Sequence, residues 1–234
     1  MKKIVVSDYD NTFYRNDDDI EKNKLKVKEF MELSNIFIIA TGRSYLDFME
    51  KEDLYKIKYN YLILDHGATI LKDNEIIFTE TINNSIKEDL LYDLQPDDIT
   101  WSFACCKLES RVSFQEKDLT KIHVRYETEE MTRKIHDFIK DKYKDYIDAF
   151  LVCKNKGIEI VSNKVNKSVA IKFISQLENT TDIYTIGDSY NDICMIEDFK
   201  GFIMNDSIEE LKSKGYKQYD SVSLFIEDVL KNEI

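Results

Sequence analysis

Apolar residues in this chain fall in short unbroken runs more often than in strict alternation. Four segments share one grammar, a β-rich run that stops at a polar turn: KKIVVSDYD, NIFIIATGR, YNYLILDHGA and DIYTIGDSYND. Continuous apolarity predicts strands buried on both faces, as in a parallel sheet. Helical patterns lie between them. Asp17 to Asp19 are placed to cap a helix running to Leu33, with Leu25, Phe30 and Leu33 available as its apolar face. Ser44 to Tyr55 predicts a second helix, and Ser168 to Leu177 a third with Val169, Ile171, Phe173 and Ile174 apolar. In SIEELKSKG, Ser207 and Glu210 have capping-box spacing and Gly215 is a stop, and a last helix spans Val222 to Leu230. Strands alternating with helices imply right-handed crossovers and a Rossmann-like, doubly wound α/β sheet.

The stretch from Ile82 to Val161 breaks this rhythm. WSFACCKL, RVSFQ, KIHVRYE, DAFLVCK and GIEIVS predict an antiparallel sheet, several of them alternating. A helix from Thr128 carries Met131, Ile135, Phe138 and Ile139 at helical spacing. The expected organisation is therefore a core of residues 1–81 and 162–234, interrupted by an α+β domain of residues 82–161. Which of Trp101, Cys105, Cys106 and Arg111 face a cleft is not legible in their spacing.

Charge narrows the ligands. With 45 acidic and 33 basic residues the net charge is -12, which opposes nucleic acid and anionic membrane and leaves a small ligand neutralised locally. The four cysteines contain no C-x-x-C pair and read as reduced thiols. No apolar run reaches membrane-spanning length, and the N-terminal run is too short for a signal peptide. The expectation is a cytoplasmic protein, a monomer or weak homo-oligomer.

In an open α/β sheet, ligands bind where the strands end. Here those ends carry Asp8 and Asp10, then Thr41 and Arg43, then Asp188, Asn191 and Asp192, with Lys167 opening the helix after the insertion. In isolation, Asp8 and Asp10 could be an ordinary polar turn or two carboxylates held around a cation. Together, these residue types suit one phosphate-and-magnesium site. Mg2+ takes a few hard oxygen ligands and leaves room for phosphate. A carboxylate can attack phosphorus, a second can move a proton, and a lysine, a hydroxyl and loop amides can neutralise the phosphoryl oxygens.

Four motifs occur in one order: DYDNT, ATGR, VNKSVAI and GDSYND. They resemble the four motifs of the haloacid dehalogenase (HAD) superfamily of phosphatases, in its Cof-type class IIB branch, which places an α+β cap between the second and third. The resemblance covers nearly the whole chain. It implies that Asp8 is the nucleophile and a magnesium ligand. Asp10 would be general acid and base, with its carbonyl on the metal. Thr41 and Lys167 would hold the phosphoryl group. Asp188 would bind Mg2+ directly, supported by Asn191 and Asp192. Asn11, Thr12, Gly42, Arg43 and His66 would lie along the substrate, with pairing to acidic neighbours on a helix start the alternative for Arg43.

Two residues depart from the branch pattern. Asn11 stands where glycine is usual, and asparagine tolerates left-handed backbone better than most residues. His66 stands in DHGA where N-G-A is common. The implied activity is a magnesium-dependent phosphatase acting on a small phosphorylated metabolite, with sugar phosphates the leading class. A phosphomutase or phosphotransferase and a non-catalytic sugar-phosphate-binding regulator are the rivals.

Overall fold

A computed structural model describes residues 2–234. The chain opens with β1 (Ile4–Asp8), α1 (Asp17–Glu32), β2 (Ile36–Ala40), α2 (Tyr45–Tyr55) and β3 (Tyr61–Leu64). All residues of these three strands are buried, as unbroken apolar runs require. Only a turn at Asp65–Gly67 separates β3 from β4 (Thr69–Lys72), and β5 (Glu75–Thr79) follows. A parallel return needs a crossover of a dozen residues or more, so β4 and β5 run antiparallel. The sheet is therefore mixed at this edge.

The intervening segment holds α3 (Lys87–Asp93), β6 (Trp101–Cys106), β7 (Glu109–Val112), β8 (Lys121–Arg125), α4 (Glu129–Lys142), β9 (Ile147–Val152) and β10 (Gly157–Ser162). The chain then continues as α5 (Lys167–Glu178), β11 (Ile183–Gly187), α6 (Ile193–Asp198), β12 (Lys200–Met204), α7 (Glu209–Ser213), β13 (Gln218–Tyr219) and α8 (Val222–Lys231).

The large sheet has the order β13-β12-β11-β1-β2-β3-β4-β5. Helices cover both of its faces. Val5, Phe37, Ile39 and Leu62 pack with Val27, Phe48 and Phe225 from α1, α2 and α8. Ile4, Val6, Ile38 and Ile63 pack with Ile171, Met195 and Leu211 from α5, α6 and α7. The smaller sheet, order β7-β6-β8-β10-β9, is antiparallel. One face packs on α3 and α4 through Ala104, Ile122, Val124, Ile158 and Ile160. By the period of two, Trp101, Phe103, Lys121, His123, Arg125 and Glu159 share the other face, over the strand ends of the large sheet.

Several helix details differ from the expectations. Asn16, not Asp17 to Asp19, caps α1 by accepting from the Asp19 amide, and the acidic residues occupy the first turn. The apolar face of α1 is Ile20, Val27 and Phe30; Leu25 is 70% exposed and Leu33 lies past the helix end. Leu25 is two residues from Val27, which turns it to the opposite side of a 3.6-residue helix. Ser207 does not cap α7, which starts after Ile208. Its hydroxyl donates instead to the Gly187 carbonyl at the end of β11. Val169 of α5 and Phe138 of α4 are likewise exposed, because the apolar side chains that turn inward are Ala170, Ile171 and Ile174 on α5 and Ile135 and Ile139 on α4.

Candidate active site

Asp8 is the last residue of β1, which lies between β11 and β2, where the strand order reverses direction. The loop that follows must turn sharply. Asn11 adopts φ 60°, and its amide donates to the Tyr14 carbonyl at 3.0 Å, so asparagine meets the left-handed requirement where glycine would be usual. The turn folds Thr12 inward. Its hydroxyl donates to Asp188 Oδ1 at 2.9 Å, tying the end of β1 to the end of β11.

Lys167 begins α5 behind an Asn16-like cap, here Asn166, which accepts from the Val169 amide. The lysine is 1% exposed. Its Nζ donates to Asp8 Oδ1 at 2.5 Å and to Asp192 Oδ1 at 2.6 Å. Burial opposes its charge, but Asp192 and Asp8 outweigh that and raise its pKa above the usual lysine range. Asp8 behaves oppositely. Burial, aided by the negative charges of Asp192 and Asp188, pushes its carboxyl well up despite Lys167. Asp188 is pushed up to about 7 by burial and by Asp192, with Thr12 opposing.

Asp8, Asp188 and Asp192 each offer an oxygen within 4.8 Å of the others. They are not equivalent. Asp192 Oδ2 accepts from the amides of Asp188 and Ser189, and its Oδ1 from Lys167. Its oxygens are committed to shaping the loop. Among the described residues, Asp8 and Asp188 each keep one oxygen without a hydrogen bond. Two hard oxygens on a crowded, buried carboxylate cluster suit a small dication, whose charge would offset the burial and the repulsion that raise both carboxyls. The donor set therefore fits Mg2+. Asn191 Oδ1 accepts from the Ser189 hydroxyl, and its amide sits 3.5 Å from His66 Nδ1.

The second strand end supplies Thr41, Gly42 and Arg43. Thr41 is buried, and its Oγ1 accepts from the Arg43 amide. The Arg43 side chain spans Asp10, donating from Nε and Nη2 to both carboxylate oxygens at 2.7 Å. Of the two roles open for Arg43, this structure displays the acidic pairing. Gly42 is required by its neighbour: a Cβ there would meet the His66 ring at 2.4 Å.

His66 is buried, yet it borders the same cavity as Asp8, Asp10 and Thr41. Its ring stacks on Phe150 with centroids 4.4 Å apart, and Nε2 lies 2.6 Å from Glu159 Oε2. Glu159 also receives His123 Nδ1 at 3.0 Å and lies 3.5 Å from Lys121 Nζ. Lys121 in turn donates to the Gly42 carbonyl at 2.6 Å and pairs with Asp65 at 3.2 Å, while Thr120 donates to Asp65 Oδ2. This buried polar network joins the two sheets, and no sequence motif pointed to it. The available signal was the alternation in KIHVR and GIEIV, which puts charges on one face of each strand.

A cavity of about 430 Å³ lies between the sheets, lined by Asp8, Asp10, Asn11, Thr41 and Gly42 below and by Trp101, His123 and Arg125 above. Trp101 also lines an adjoining cavity together with Arg111, whereas Cys105 is buried.

A two-faced α/β sheet with carboxylates and a buried lysine gathered at its central strand ends, roofed by an antiparallel sheet, defines a Rossmann-like protein with a capped strand-end site. The family of haloacid dehalogenase-like hydrolases matches residues 5–108 and 100–223. The chain belongs to that family and is an enzyme of the hydrolase class. An uncharacterized protein of Mycoplasma capricolum is 32% identical over 85% of this chain and 88% of its own. A relative from Buchnera aphidicola, provisionally named a phosphatase, is 25% identical over 99% of this chain and 97% of its own. The fold is shared with a HAD/COF-like hydrolase from Plasmodium vivax at TM-score 0.84, with 16% identity over 98% of this chain and 96% of that one. It is also shared with a Synechocystis sucrose-phosphatase at TM-score 0.68, with 16% identity over 99% and 98% of the two chains. No helix among the described residues is long and apolar enough to cross a membrane.

Proposed function

We propose that this hydrolase is a magnesium-dependent phosphatase that cleaves a small phosphorylated metabolite, with a sugar phosphate as the leading class. The observation that carries the reading is the placement of Asp8: a buried carboxylate with one oxygen held by Lys167 and the other left for attack or metal. Lys167 orients the nucleophile and neutralises phosphoryl charge, while the Thr41 hydroxyl and loop amides cradle the remaining oxygens. Asp10 protonates the leaving oxygen, then takes a proton from the water that hydrolyses the aspartyl-phosphate on Asp8. Asp8, the Asp10 carbonyl and Asp188 would hold Mg2+, which would supply charge neutralisation for the phosphoryl oxygens. Asn191 and Asp192 hold the metal loop in shape.

The roof, residues 82–161, excludes water and selects the leaving group. The sucrose-phosphatase likeness supports the sugar class at the level of fold. We place the protein in the cytoplasm as a monomer or weak homo-oligomer, with neither nucleic acid nor membrane as partner. The test is phosphate release from a panel of phosphorylated sugars and nucleotides with and without Mg2+. Turnover that needs Mg2+ and disappears in Asp8→Asn is the expected result. Hydrolysis by Asp8→Asn at a rate comparable to the parent protein would rule out attack by Asp8.

A further inference from the structure

Two cations around the cavity are already spent. Arg43 of the floor is held by Asp10, and Lys121 of the roof by Asp65 and Glu159. Two roof arginines differ. Among the described residues, neither Arg125 nor Arg111 has a carboxylate within ion-pair distance, although the protein carries 45 acidic side chains. Both line cavities. Arg125 borders the cavity above Asp8 and Asp10, and Arg111 the adjoining one of about 400 Å³. The two cavities share Trp101 and Phe103.

The aromatic groups between the arginines form a shelf. Trp101 is 44% exposed, with the Arg125 guanidinium 4.6 Å from its ring centroid. Arg125 is also aimed: its Nε donates to His123 Nε2 at 3.3 Å, and the opposite ring nitrogen of His123 is engaged by Glu159. His123 stacks in turn on Phe103 with centroids 4.9 Å apart. This leaves the planar fork of Arg125 beside a partly exposed aromatic ring, and Arg111 lines the adjoining cavity that shares that ring. Guanidinium groups recognise carboxylate and phosphate oxygens by paired hydrogen bonds.

We infer that Trp101, Arg125 and Arg111 form a second subsite, which binds a leaving group carrying its own anionic group, a phosphate or a carboxylate, across the Trp101 ring. The inference rests on the phosphatase reading for the position of the reacting phosphoryl group. It narrows the substrate to phosphorylated sugars with a second negative charge, and it gives Arg125 and Arg111 a specificity role.

The test uses one sugar in three forms: glucose 1-phosphate, glucuronic acid 1-phosphate and glucose 1,6-bisphosphate. The kcat/KM for phosphate release should favour a doubly charged form by about tenfold or more, the size of a charge-assisted hydrogen bond. In Arg125→Gln combined with Arg111→Gln, that ratio should fall to within about twofold, since nothing then distinguishes the second anion. The acid and bisphosphate arms separate a carboxylate site from a phosphate site. An absent preference, or one that survives both substitutions, overturns the inference. Calorimetric binding of the same compounds to Asp8→Asn keeps this question apart from turnover. Selective binding of a doubly charged form that is lost with the arginines, when the parent protein hydrolyses none of the three, sustains the subsite and counts against the phosphatase reading. Equal binding of all three overturns the subsite.

Discussion

Arg43 grips both carboxylate oxygens of Asp10, with Nε to Oδ2 and Nη2 to Oδ1 each at 2.7 Å. A planar fork against a carboxylate fixes the plane as well as the position of the proton-moving group. The Arg43 Nη1 bond to the Asp47 carbonyl anchors the fork to α2. Lysine keeps the charge but loses the fork. Arg43→Lys should therefore lower kcat by about tenfold through misplacement of Asp10, with a smaller effect on KM. Steady-state kinetics decide the matter, because a raised KM with unchanged kcat would assign Arg43 to the substrate alone.

Among the described residues, Lys167 is the only cation bonded to the Asp8–Asp192 pair, and all three side chains are buried. Lys167→Met would leave two carboxylates uncompensated in a dry site. A loss of about 3–5 kcal/mol is expected, as for breaking a buried ion pair from one side. Urea denaturation in the absence of Mg2+ measures it. Adding Asp8→Asn to that variant should recover part of the loss, and a double variant no more stable than Lys167→Met would show that repulsion is not the cause.

Gly42 and His66 occupy one space. Gly42→Ala puts a methyl group at 2.4 Å from the imidazole, an overpacking that should cost about 1–3 kcal/mol. The smaller His66→Asn should relieve it in the double variant. If the two substitutions destabilise additively in thermal melts, the steric account of Gly42 fails.

Glu159 gives the union of the two sheets a pH dependence. Burial opposes its ionisation, but the charge of Lys121 and hydrogen bonds from His123 and His66 outweigh burial and hold its carboxyl well below the usual range of 4.5. The folded state thus keeps Glu159 charged where the unfolded chain would protonate it. The resulting stability is complete above about pH 4.5 and is lost as pH falls below that value. Glu159→Gln should be less stable at pH 7 and show a shallower decline between about pH 5 and pH 3. Parallel melting curves for the two proteins across this range would remove Glu159 as a source of acid sensitivity.

The legible part of this protein is local in sequence. β1, β2, β3 and β11 are buried on both faces, so each appears as an unbroken apolar run, and the residue that ends each run is automatically at the site. That is why Asp8, Thr41 and Asp188 could be singled out. Asn11 likewise carries its own backbone preference, and it adopts the positive φ expected of it. The helix faces were less legible, since Leu25 and Val27 are equally apolar and only packing against the sheet decides which turns inward.

By itself, then, the sequence determined the alternation of strands and helices, the antiparallel insertion and the identity of the strand-end side chains, because these follow from backbone period and local chemistry. Tertiary structure alone decided the partnerships. Arg43 meets Asp10 from another strand, Asp192 spends its oxygens on its own loop, and Lys121 and Glu159 cross from the roof to Gly42 and His66. Which charges remain unpaired, as at Arg125 and Arg111, depends on every long-range contact being made. An ion pair is a property of two positions brought together by folding, and nothing in either residue's neighbours along the chain records the other.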